Sequence, residues 1–397
     1  MTLAQMQAAL GMEKLPDEFA QLYPLVRSDY LSRAGHLLSD EYICAVMDAS
    51  GALIPYRQNL LAAAAVLRTQ PAAMLLICLL EQWIRSSDKL NMATYAPPSG
   101  TGSGFDFLHL FPALPTIADS IAHMERRGVP RDVITATMKE YDASVALCEK
   151  MLGRPAFNQG RLSWLHHLIR NRLLIVGNLK FDFFRQRPPR DVRVYSNSSG
   201  DLIMLASGVW VHSGGGVLGS AGLEDPDGSF LAEWAETPDS ISGYPVIDAK
   251  ISPQKVVLSR QEWHCILPED APIVCVHIPY GANLEPSLVE ASYARARDIF
   301  TKCYPDLHYG AFYTHTWLLS PQLRGILKPD SRILAFQKKY ALYPCKSAGK
   351  FVFPFVFSIS APPDDLNTLP EDTSLRRDLK ALYLSGGYIH EYCGIFF

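Results

Sequence analysis

The stretch from Ile273 to Leu342 constrains this chain more than any other, because it reads as strand, polar turn, amphipathic helix, strand, short helix and strand in unbroken succession. Ile273-Val274-Cys275-Val276-His277-Ile278 is a short apolar, β-branched run of the buried-strand type. Pro279-Tyr280-Gly281-Ala282-Asn283 then punctuates the chain. The helix that follows tolerates Pro286 in its first turn. Its apolar residues Leu288, Val289, Ala296, Ile299, Phe300 and Cys303 share one arc, opposite Glu290, Arg297, Thr301 and Lys302. A second strand is expected over Ala311 to Leu319. A crossover of this kind leaves main-chain N–H groups and the positive end of a helix dipole at the carboxyl edge of its first strand. Such an edge suits a phosphorylated ligand.

With 397 residues the chain is too long for one small core, so two domains are expected. An apolar share of 48% and a charged share of 19% fit a packed globular protein and exclude extended disorder. The net charge of −3 gives no electrostatic case for nucleic acid or an acidic membrane surface as a partner. No two of the eight cysteines form a C-x-x-C pair, so neither a zinc knuckle nor a redox pair is visible, and free thiols in a reducing cytosol are expected. The start of the chain lacks a basic segment followed by an apolar one, and the greasiest segment, Ala72 to Ile84, contains Glu81 and falls short of the ~20 residues a bilayer span needs. A cytoplasmic location without a membrane anchor is the expectation.

Residues 1–158 carry helical periodicity almost throughout, with helices expected from Pro16 to Leu31, Asn59 to Arg68, Ala72 to Ile84, Thr116 to Arg127 and Pro130 to Leu152. The tract Pro97-Pro98-Ser99-Gly100-Thr101-Gly102-Ser103-Gly104 reads as a loop, since no strand precedes it and no Lys-Ser/Thr follows. From residue 159 the character changes. Trp164 to Val176 reads as a further helix, Leu179 to Phe183 as a strand, and Arg187-Pro188-Pro189-Arg190 as a break. Val192–Tyr195 and Leu202–Ala206 pair across the turn Asn197-Ser198-Ser199-Gly200. Glu224 to Ser242 reads as irregular, Phe351 to Ile359 as an apolar strand, and Ser374 to Leu384 as a closing helix. The fold class is therefore α+β, with an all-helical domain over 1–158 and a mixed β-sheet domain with flanking helices over 159–397.

The order of elements is similar to that of the GNAT acyltransferase superfamily, and Asp330 to Leu342 resembles its late Asn-x-x-Ala-x-x-Phe-Tyr-x-Lys-x-Gly-Phe element. More closely, the chain resembles a bacterial family of acyltransferases with a helical N-terminal domain and a GNAT-like C-terminal domain. The patches that carry this are Gly160-Arg161 with Trp164, Gly177-x-Leu179-x-Phe181, His277-Ile278-Pro279, Trp317-Leu318-Leu319, Ser331-x-Ile333-x-x-Phe336-Gln337 and Leu369-Pro370-x-Asp372-Thr373-Ser374-Leu375. The resemblance implies acyl transfer from acetyl-CoA or another acyl-CoA to a small-molecule or peptide amine, with the helical domain covering the cleft. It also implies a pyrophosphate site on the loop after the first strand of the crossover. The second possibility is a ligand-binding or scaffolding module that keeps the fold without the chemistry. A metal-dependent hydrolase is the third, and it lacks a ligand cluster in the sequence.

On that basis Ile278, Pro279, Gly281, Ala282, Asn283 and Ser287 are the candidate cofactor residues, through main-chain amides and the side chains of Asn283 or Ser287. The alternative is an ordinary capped β–α connection. Gln337 is grouped with them, standing where the superfamily often keeps a Tyr that reprotonates the CoA thiolate, which Gln cannot do. His277 is the first candidate base, because imidazole titrates near neutrality and the residue ends a strand. A Cys275–His277 dyad is also conceivable from their shared strand face. His315 shares a face with Tyr313 and Trp317, and Tyr313 or Tyr340 is the candidate acid in place of Gln337. No metal ligand set is assigned.

Overall fold

A computed structural model of the chain describes residues 1–99, 104–186, 191–268 and 271–397. The Arg187-Pro188-Pro189-Arg190 break and the middle of the glycine-rich tract, residues 100–103, lie outside the described residues. The chain divides into two compact units, Met1–Val176 with Lys302–Tyr304, and Gly177–Thr301 with Pro305–Phe397. The first unit therefore extends beyond residue 158.

In the first unit the helices are α1 (Leu3–Leu10), α2 (Glu18–Val26), α3 (Tyr30–Leu37), α4 (Asp40–Ser50) and α5 (Arg57–Leu67). They continue with α6 (Pro71–Ser86), α7 (Leu114–Arg126), α8 (Arg131–Met138), α9 (Glu140–Leu152) and α10 (Gln159–Ile169). α6 is apolar on nearly every side and is correspondingly buried, with Trp83 edge-on to Phe19 at 5.7 Å. Its buried acid, Glu81, is bonded by Arg33 at 2.8 Å and by Arg85 at 3.2 Å, so the charge is compensated where it is desolvated. Among the described residues no single helix is long and apolar enough to cross a membrane.

Three expectations in this unit are corrected. Pro16 to Leu31 is not one helix, since α2 ends at Val26 and α3 begins at Tyr30. Pro130 to Leu152 is not one helix, since it breaks between α8 and α9. Thr135 and Thr137 turn their hydroxyls back onto the carbonyls of Arg131 and Val133 at 3.0 and 2.7 Å, which bends a helix at such a point. Leu173-Leu174-Ile175-Val176 is a strand, β1 (Leu173–Val176), rather than the end of a helix, and Ile175 N–H donates to Thr137 Oγ1 at 3.0 Å. A run of Leu, Ile and Val without polar spacing is ambiguous between the two states.

The same unit buries two histidines, His109 against the Tyr95 hydroxyl at 2.8 Å and His166 against the Ile84 carbonyl at 3.2 Å. Burial pushes both down to about 4 from an ordinary value of 6.5. The unfolded chain then takes up these protons at higher pH than the folded one. Stability present above about pH 6.5 is therefore lost as pH falls toward 4, by roughly 1.4 kcal/mol per pH unit for each histidine. Urea midpoints measured at pH 7.5 and pH 5 are expected to show that loss, and His109→Gln to reduce it; equal midpoints would refute it.

The second unit contains β2 (Leu179–Gln186), β3 (Val192–Asn197), β4 (Leu202–Ala206), β5 (Val209–Val211), β6 (Phe230–Ala232), β7 (Ala235–Glu236) and β8 (Ser240–Ile247). Then come β9 (Lys250–Ile251), β10 (Val256–Ser259), β11 (Trp263–Cys265), β12 (Ile273–His277), α11 (Pro286–Cys303) and β13 (Ala311–Thr316). The unit closes with α12 (Arg332–Gln337), β14 (Ala341–Pro344), α13 (Ser374–Leu384) and β15 (Tyr392–Phe396). Its central sheet runs β2-β12-β13-β15-β14, with β12 and β13 parallel and the other pairs antiparallel. One face packs on α11 through Phe181, Tyr293, Phe300, Phe312 and Phe396. The other face packs Ile273, Ala311, Tyr343, Cys393 and Ile395 against Val192, Val194 and Met204 of the second sheet, which runs β10-β8-β4-β3-β11.

The β3–β4 hairpin pairs as expected. Glu224 to Ser242 is less irregular than its polarity suggests, since it holds β6, β7 and the start of β8. Phe351 to Ile359 is not a strand, for residues 353–357 form a π-helical turn. Phe353 and Phe357 face the core four residues apart while Phe351 and Phe355 stay exposed, and Pro354 has no N–H to give a sheet.

Candidate functional site

Pairing between β12 and β13 runs from Ile273↔Ala311 to Cys275↔Tyr313 and stops there. Beyond that point β12 remains with β2 as far as His277↔Lys180, and β13 remains with β15 as far as Thr316↔Tyr392. Each strand thus keeps its outer partner while the inner seam opens. At the point of parting the Thr314 hydroxyl donates to the Val276 carbonyl at 2.8 Å, so a side chain satisfies a group the ladder has released. The two strand ends then flank a cavity of about 1000 Å³.

The cavity brings together His277, Ile278, Pro279, Gly281, Ala282 and Asn283 from the first strand and its loop with His315 from the second. The loop turns tightly, Ala282 N–H donating to the Pro279 carbonyl at 3.0 Å, with Gly281 at φ +72° where a side chain would be strained. Asn283 Oδ1 accepts from Glu285 N–H at 3.0 Å and from Arg332 at 3.1 Å, while Asn178 donates to the Asn283 carbonyl at 2.8 Å. The loop is therefore braced from two sides. Its Asn283 side-chain oxygen is engaged by the turn.

The other candidates are placed elsewhere. Ser287 is exposed on α11 and does not line the cavity. Gln337 is buried and donates to the carbonyls of Leu318 and Ser320 at 2.9 and 3.0 Å, fixing the turn after β13. Tyr340 is buried in the aromatic core, its hydroxyl bonded to that of Tyr293, and burial holds it far above the ordinary phenol range. Tyr313 points its hydroxyl at Cys393 Sγ, 3.1 Å away, and is likewise raised by burial. Neither tyrosine lines the cavity. Burial also pushes the Cys275 thiol up, with Asp182 adding to the effect, which keeps it protonated and argues against a Cys275–His277 dyad.

Several lining residues were not named as site candidates from the sequence, although Trp317, Leu318, Ile333 and Asp372 stand in the patches that carry the resemblance. Phe351, Phe355, Val356, Ile333, Trp317 and Leu318 give one apolar wall, with Phe351 52% and Phe355 41% exposed. Arg332, Asp372, Arg376 and the buried carboxylate of Glu391 also line the cavity. Arg376 holds Asp372 through both carboxylate oxygens, at 2.7 and 3.0 Å, and reaches the Val356 carbonyl at 2.8 Å. The Ser347 hydroxyl donates to Glu391. The pattern Asp372-x-x-x-Arg376 at a helix start was a further legible signal; Glu391 stands just before β15, with no spacing to mark it.

The family model for a GNAT-like C-terminal domain matches residues 173–396. No curated protein matches the chain. Among solved structures, an acyltransferase in complex with decanoyl-CoA and teicoplanin has the same fold, with a TM-score of 0.64 at 18% identity, covering 100% of this chain and 99% of that one. An acyltransferase in complex with CoA and 10C-teicoplanin gives a TM-score of 0.65 at 19% identity over the same shares, 100% and 99%. An acyltransferase with decanoyl-CoA alone gives 0.64 at 18%, again over 100% and 99%.

Proposed function

We propose that this chain, which belongs to the GNAT-like C-terminal domain family, transfers an acyl group from an acyl-CoA to an amine. The observation that carries the reading is the open seam between β12 and β13, where released main-chain groups, a braced glycine turn and two histidines line one cavity. Acyltransferases of the same fold hold decanoyl-CoA or CoA, which supports an acyl-CoA as the donor here.

In this reading the acceptor nitrogen attacks the thioester carbonyl carbon, and a C–N bond forms. His277 takes the nitrogen's proton as the bond forms. The tetrahedral intermediate collapses, the C–S bond breaks, and the imidazolium returns its proton to the departing CoA thiolate. One residue thus serves as base and then acid, and the reaction needs neither Tyr313 nor Tyr340. The loop from Ile278 to Asn283 supports the CoA pyrophosphate through main-chain N–H groups.

The wall of exposed Phe351 and Phe355 with half-buried Val356 favours a fatty acyl chain over acetyl. Each methylene buried against it contributes about 0.8 kcal/mol, so decanoyl-CoA is expected to exceed acetyl-CoA in kcat/KM by at least about tenfold. Thiol release from an acyl-CoA series with a panel of amines tests this, with Phe355→Ser narrowing the difference. Absence of thermal stabilisation by any acyl-CoA would remove the reading, and stabilisation without thiol release would leave a binding module.

A further inference from the structure

The face of the central sheet turned away from α11 carries a cluster in which only His315 also lines the acyl-transfer cavity, and there no step of the transfer is assigned to it. His315 on β13 stands directly opposite Cys393 on β15, and Cys393 stands opposite Tyr343 on β14. Cys345, two residues beyond Tyr343, shares its face because side chains alternate along a strand. The donor atoms of His315, Cys345 and Cys393 all lie within 4.8 Å of one another. Asp191, at the start of β3 on the facing sheet, is close enough to bear electrostatically on His315, Cys345 and Cys393. Its Oδ1 is buried without a hydrogen-bond partner among the described residues.

We infer that His315, Cys345, Cys393 and Asp191 form a binding site for a thiophilic divalent cation such as Zn²⁺. Two thiolates, an imidazole and a carboxylate are a tetrahedral donor set. With metal–sulfur bonds of about 2.3 Å and metal–nitrogen bonds of about 2.0 Å, neighbouring donors stand roughly 3.5–3.8 Å apart, so His315, Cys345 and Cys393 need to close by only about 1 Å, with Asp191 approaching from the facing sheet as the fourth donor. The Tyr313 hydroxyl lies 3.1 Å from Cys393 Sγ. That phenol is placed as an outer hydrogen-bond donor that steadies a metal thiolate. The buried Asp191 oxygen gains the positive partner it lacks.

The inference does not rest on acyl transfer, because its readout is spectroscopic. Metal-free, reduced full-length protein titrated with Co²⁺ is expected to develop the visible bands of a tetrahedral thiolate complex at one ion per chain, and Zn²⁺ is expected to bleach them. Cys345→Ala and Asp191→Asn should abolish or weaken the bands, whereas Cys265→Ala, an exposed thiol on β11, should leave them intact. Cys345 is only half-buried past the end of β14, so its variant tests the site even where Cys393→Ser fails to fold. No bands in the native chain, or bands that survive Cys345→Ala, would overturn the inference.

Discussion

His277→Ala is expected to lower kcat by about 10²–10⁴, the usual contribution of a positioned general base. Binding of acyl-CoA should change little, because the proposed pyrophosphate contacts come from the main chain of the following loop. His277 ends β12 where the inner seam has opened, and it shares the cavity with that loop. Thiol release under saturating acyl-CoA and amine measures the first quantity, and thermal shift with the same acyl-CoA measures the second. His277→Gln keeps the size and polarity but cannot take a proton, so it should be as slow as the alanine variant. A histidine variant that retains wild-type turnover would assign the base elsewhere, and Glu391, a buried carboxylate in the same cavity, becomes the next residue to replace.

Gly394→Val is expected to destabilise the second unit by about 3 kcal/mol, the upper range for forcing extra carbons into a packed core. Gly394 lies in β15 between Thr314 of β13 and Leu342 of β14. A Cβ there would stand 2.7 Å from the Leu319 side chain and 2.9 Å from the Cβ of Tyr340. Both neighbours are buried, and Tyr340 is further fixed by its bond to Tyr293, so neither can give way cheaply. Urea denaturation followed by intrinsic fluorescence should show the loss, with Gly394→Ala intermediate. Wild-type midpoints for both variants would mean that the close approach is not real.

The part of the fold most legible in the sequence was the crossover from β12 through α11 to β13, because β-branched runs, punctuating Pro and Gly, and an 18-residue amphipathic helix all agree there. β15 was not legible. Its run Tyr392-Cys393-Gly394-Ile395-Phe396 is interrupted by a glycine that reads as a turn residue, whereas the glycine is there to let two side chains approach. The turn at Phe353–Phe357 misled for a different reason, since a continuous apolar run carries no period by which to tell strand from helix.

The candidate site divides along the same line. His277, Ile278, Pro279, Gly281, Ala282 and Asn283 form one continuous segment, and the cavity takes all of them. Ser287 and Gln337 were chosen by nearness along the chain or by likeness to a motif, and their environments decide otherwise. The grouping of Asp191, His315, Cys345 and Cys393 comes from strand register, which single-sequence spacing does not encode.

β15 lies between β13 and β14 although it follows both in the chain. During synthesis the ribosome therefore releases β13 and β14 before the segment that joins them, and until residue 396 emerges their facing edges have no partner. Unpaired edges of this sort invite intermolecular pairing, and long-range closure is slow. Nascent chains arrested short of β15 should consequently depend on chaperones, while those released past it should not.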